Sequence, residues 1–289
     1  MQNLQQQSKV NPLAGLMRQP KLSIKLPSQG RFWPTGSINT TADGEYKVFS
    51  MTAKDELLLR NPATQTGGQA LVDVIQSCIP DIRNAWDTPG IDLDTILIAI
   101  RIATYGPTMQ VPIVVEEVPE SYEVDLLAVL DRILEDAGWE EQLVLDDGMI
   151  IFVSPMSYKD VAKAGQETSE TQKIMNIVND DKMDEEKKVE LFRESFVKLT
   201  NITLNVVFGS IKKIITTDNI IVDNPKFIQE FMDNADRDVF TKVRTRINEL
   251  TLQNSIKPVK VDSTPAMREA GAPDVIDLPI EFTPANFFQ

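Results

Sequence analysis

The chain has 289 residues, 42% of them hydrophobic and 25% charged, with a net charge of −14, no histidine and one cysteine. That balance suits a soluble globular protein able to bury a sizeable core, and it opposes binding of the whole chain to a nucleic-acid phosphate backbone. Lacking histidine, the sequence excludes Ser-His-Asp and Cys-His catalysis and His-ligated zinc, and a lone Cys78 cannot form an internal disulfide.

Residues 1–44 are expected to form an extended basic arm. Pro12, Pro20, Pro27 and Pro34, with glycines at 15, 30, 36 and 44, interrupt every incipient helix. Five basic residues (Lys9, Arg18, Lys21, Lys25, Arg31) precede the first acid, Asp43. Residues 1 to about 25 read as a flexible, solvated tail. Met1–Lys9 is polar and unlike a signal peptide, so folding in a cytosol is expected, and no apolar run reaches the roughly 20 residues that span a bilayer. The alternating segments 21–27 and 46–51 are each suited to a strand.

A mixed core domain is expected over 45–157. Thr52 followed by Asp55 resembles a capping box opening KDELLLR. Gly67-Gly68 precedes QALVDVIQSCI, whose Leu71, Val74, Ile75, Cys78 and Ile79 share one helical face, with Pro80 as the stop. Cys78, among apolar neighbours, reads as a buried, inert thiol. Asp92 or Asp94 is placed to cap DTILIAIRIATYG, which is apolar nearly all round and therefore a buried helix ending at Gly106-Pro107. Residues 109–118 then read as a strand and 125–138 as a helix. The segment 143–155 reads as a hairpin around Asp146-Asp147-Gly148.

A helical region is expected over 158–254. One helix starts at Ser157-Tyr158. A second, opened by Asp184-Glu185-Glu186, continues to Ile215. In it Val189, Phe192, Phe196 and Leu199 follow 3,4,3 spacing, the seam of a helix packed on another helix. Asn224-Pro225 opens another helix, and 236–254 forms the last. Residues 255–289 are expected to be an extended C-terminal tail with a strand in VIDLPIEF. The fold class is thus α+β: mixed with buried helices and a β-hairpin in the first half, mostly helical in the second, with extended arms at both ends.

Clusters that could carry chemistry have plainer readings. The Asp92/Asp94 pair suits a helix cap and Asp146/Asp147 a turn. The acids at 180, 181 and 184–186 lack EF-hand spacing and suit a solvated helix start. No cofactor, metal or catalytic residue is expected. Partner-binding candidates are Phe32 and Trp33 in QGRFWPTG, Phe192 and Phe196 on the seam, and Phe287 and Phe288 near the end. The FWP segment either anchors a partner or folds onto its own core, and the two terminal phenylalanines either dock internally or form an interaction peptide.

Four segments in this order, LPSQGRFWPTGS, MTAKDELLLRNP, GGQALVDVIQSCIPDIRNAW and LDTILIAIRIATYG, resemble the baseplate hub assembly proteins of T4-like contractile-tailed phages. Fainter echoes are FVSPMSYKD, FRESFVKLTNIT, FIQEFMDNAD and GAPDVIDLPIEFTPANFF. The resemblance implies a non-enzymatic chaperone or scaffold for building the hub, with a structural subunit of the mature hub as the nearest alternative. The remote alternative is a metal-dependent hydrolase built on the 180–186 acids. It implies other hub proteins and the tape-measure protein as partners, leaves a homo-oligomer open, and involves neither nucleic acid nor membrane. The host cytoplasm during assembly, or the tail baseplate of the virion, would be its location. Relatives with a cysteine pair after AIRIATYG suggest a zinc ribbon, but this chain has VPIVVEEVPESYEV there and cannot form one.

Overall fold

The computed structural model of the chain describes residues 13, 17–60, 67–178, 185–280 and 282. Strands β1 (Pro20–Lys25) and β2 (Glu45–Phe49) pair antiparallel, setting Ile24 opposite Tyr46. Helix α1 (Ala53–Arg60) opens on a reciprocal capping box: Thr52 N–H donates to Asp55 Oδ2 at 2.7 Å and Asp55 N–H donates to Thr52 Oγ1 at 3.2 Å. Helix α2 (Gln69–Cys78) follows Gly68, whose φ of 80° places it in the left-handed region. Helix α3 (Gly90–Tyr105) is central and largely buried, and it stops at Gly106, where φ is 99°.

These elements enclose the first core. Val48, Ile75, Ile79, Ile96 and Ile100 are shut off from solvent, and Cys78 lies among them. The described segment from Met17 on belongs to this core, which corrects the expectation of a solvated tail for 17–25. Ile24 and Leu26 are buried, and Arg18 donates to Ser50 O, Ser77 O and Ser77 Oγ while pairing with Asp55 at 3.6 Å. A guanidinium with several fixed acceptors holds a chain that its prolines alone would leave loose.

Strands β3 (Thr108–Val115) and β4 (Val118–Asp125) form a hairpin whose two-residue turn, Glu116-Glu117, has positive φ at both positions. Helix α4 (Leu126–Asp136) is capped by Asp125, which accepts from Leu127 N–H at 2.9 Å. Together they build a further core that also receives Leu278, Ile280 and Phe282.

The remaining sheet joins the two halves of the chain in the order β5 (Gln142–Val144), β6 (Ile150–Val153), β7 (Ile211–Ile215), β8 (Ile221–Val222), all antiparallel. Helices α5 (Tyr158–Val178) and α6 (Glu185–Gly209) leave the sheet after β6 and return at β7. The second helix was expected to run on to Ile215. Instead it ends at Gly209, and the β-branched residues Ile211, Ile214 and Ile215 form β7, where they pack on the pleated surface beside β6.

Helix α7 (Pro225–Asn234), capped by Asn224 on Lys226 N–H at 3.0 Å, and helix α8 (Arg237–Gln253) cover this sheet. Asn254 ties α8 to the end of α4 by accepting from Gly138 N–H and donating to Gly138 O, at 3.1 and 2.8 Å. Residues 255–280, expected as an extended tail, hold the antiparallel pair β9 (Val259–Asp262) and β10 (Val275–Leu278) and the short helix α9 (Pro265–Glu269). The whole is a mixed α+β fold, as the sequence implies.

Candidate protein-interaction surface

The α5–α6 hairpin is an excursion between adjacent strands, so its two ends are clamped together at the sheet. Ser154 N–H donates to Ser210 O at 2.8 Å across that base. The base is also locked to the first core: Gly90 N–H donates to Met156 O at 2.8 Å, Tyr158 N–H donates to Thr88 O at 2.7 Å, and the Tyr158 ring stacks on Trp86 at 5.6 Å. A hairpin pinned at one end presents its outer turns in a fixed direction.

Which face those turns present reverses the expected seam. Between α5 and α6 lie Thr171, fully buried, and Ser195, 2% exposed, whose Oγ has no hydrogen-bond partner among the described residues. Ile202 joins them nearer the sheet, with Leu191 and Leu199 half-buried at the margin. The large apolar side chains point outward instead: Val189 is 67% exposed, Phe192 52%, Phe196 63% and Val197 51%. Sequence spacing identifies a face but not what covers it. Here α5 covers the neighbouring face, and the pairing of Lys198 with Glu170 at 3.7 Å marks its edge.

Of the other candidates, Trp33 takes the core-folded alternative. It is buried, and its indole N–H donates to Asp92 Oδ2 at 2.8 Å. Ser28 completes the site, its N–H donating to Oδ1 at 2.8 Å and its hydroxyl to Oδ2 at 2.5 Å. Asp92 therefore neither caps α3 nor pairs with Asp94; it buckles the segment carrying Ser28 and Trp33 onto the helix. Burial pushes its carboxyl up to about 6, against the pull of Ser28 and Trp33. Phe32 is half-buried with its ring edge-on to Trp139 at 6.2 Å. Phe287 and Phe288 lie outside the described residues, as do Asp180, Asp181 and Asp184.

Among the described residues, no group of three or more His, Cys, Asp or Glu could hold a metal ion, and no helix is long and apolar enough to cross a membrane. Fold and surface thus define a mixed α+β protein whose most conspicuous feature is a clamped helical hairpin with its aromatic side outward. The family model described as T4 bacteriophage base plate protein matches residues 17–263, and the chain belongs to that family. No curated protein and no solved structure matches it.

Proposed function

We propose that this baseplate-family protein is a non-enzymatic assembly chaperone or scaffold in building the central hub of the phage baseplate. The observation that carries this reading is the inverted hairpin: small polar residues inside, Phe192 and Phe196 outside. Soluble monomers rarely leave such a contiguous stripe in water, and an assembly protein has a use for it as a contact surface. Its partners would be other hub proteins and the tape-measure protein, met in the host cytoplasm during assembly.

Mass spectrometry of purified virions tests the role. A chaperone is absent from finished particles. Presence in fixed stoichiometry would make the protein a structural subunit of the mature hub and overturn the chaperone role. Co-purification with hub proteins should be lost in the variant Phe192→Ser/Phe196→Ser.

A further inference from the structure

We propose that the outward face of α6 pairs with the same face of a second copy of this chain, the two helices running antiparallel. This deepens the reading of α6 as a contact surface and rests on it.

The spacing supplies the first argument. Exposed Val189, Phe192 and Phe196 and half-buried Leu199 at the edge of the stripe are separated by 3, 4 and 3 residues, so the stripe reads the same in both directions. Reversal about position 194 exchanges 189 with 199 and 192 with 196. A two-fold axis there sets each Phe192 against the partner copy's Phe196 and each Val189 against its Leu199. A two-fold interface requires such self-complementarity, because one patch must serve as both surfaces. The reversed 3,4 pattern also matches the way antiparallel helices interdigitate along an a/d seam.

The packing supplies the second. Within one copy, the α5–α6 contact is built around Thr171 and Ser195 and leaves Val189, Phe192, Phe196 and Val197 each more than half exposed. With 25 residues, α6 extends about 37 Å, enough for two such helices to lie side by side over the whole stripe. Two hairpins joined in this way form a four-helix bundle, in which the phenylalanines occupy the centre that a single hairpin lacks.

Sedimentation equilibrium of the full chain should give a dimer, and Phe192→Ser/Phe196→Ser should weaken its association by about 100-fold or more. Orientation is read by mixing Val189→Cys protein with Leu199→Cys protein under oxidising conditions. Native Cys78 does not interfere, being fully buried with its thiol pushed up to about 12. The antiparallel pair predicts disulfide-linked heterodimers and no linkage of Val189→Cys protein to itself, since those two positions lie about 15 Å apart along the axis. A wild type that stays monomeric at every concentration, a double variant that still dimerises, or linkage of Val189→Cys to itself overturns the proposal. If the dimer fails while the double variant still loses co-purification with hub proteins, the contact-surface reading stands and only the second copy is removed.

Discussion

The first core and the α5–α6 hairpin are both built from helices with apolar faces, yet they use those faces in opposite ways. In α2, at its C-cap and in α3, Ile75, Ile79, Ile96 and Ile100 are turned wholly inward, packed against β1, β2 and each other. In α6, Phe192 and Phe196 face solvent and Ser195 faces the neighbouring helix. The core spends its hydrophobic surface on its own stability. The hairpin is held by its clamped base and keeps that surface available. The same 3-and-4 periodicity therefore serves folding in one place and contact in the other, and only the neighbours decide which.

The largest effect is expected in the first core. Ile75→Ala, at a position with no solvent exposure, should cost about 2–5 kcal/mol in chemical denaturation, through lost transfer energy and the cavity left behind. A loss under about 1 kcal/mol would mean that this core is far looser than its burial suggests.

The Asp92 buckle carries a pH signature. Its carboxyl is raised from 3.8 to about 6, so between those values the folded protein holds a proton that the unfolded chain has released. The resulting stability is fully present below pH 3.8 and is lost as pH rises through about 6. At pH 4, Asp92→Ala should cost about 3 kcal/mol, because buried donors on Ser28 and Trp33 lose their acceptor. The gap between wild type and variant should narrow towards pH 7. A gap that widened with rising pH would show that the buckle is held chiefly by the charged carboxylate.

Much of the fold is legible in the sequence where local chemistry and tertiary packing agree. Thr52 with Asp55, Asn224 with Pro225, and Asp146-Asp147-Gly148 mark helix starts and a turn that form where expected. The β3–β4 hairpin was hidden because its turn is Glu116-Glu117, with none of the glycine or asparagine that usually signals positive φ. Strand β7 was hidden because Ile211, Ile214 and Ile215 continue the helical spacing of α6, and only Gly209 with the β-branched run marks the break. The Asp92 site could not be derived, since a carboxylate near a helix start suits a cap as well as a long-range acceptor. Of the surface, Phe192 and Phe196 were singled out by their periodicity, but that signal alone implied burial against another helix. Their exposure follows from where α5 lies, which no local pattern encodes.

The smallest effect is expected at the α6 stripe, if it is a surface for another protein and not part of this chain's own core. Thermal melting of Phe192→Ser/Phe196→Ser should be followed at a dilution where self-association contributes nothing. Exposed substitutions away from packing usually change stability by no more than about 0.5 kcal/mol, which in a chain of this size moves the melting temperature by only about 1–2 °C. A shift of that size or smaller is expected. A fall comparable to that of Ile75→Ala would contradict it, because the two phenylalanines would then be core residues of the folded chain.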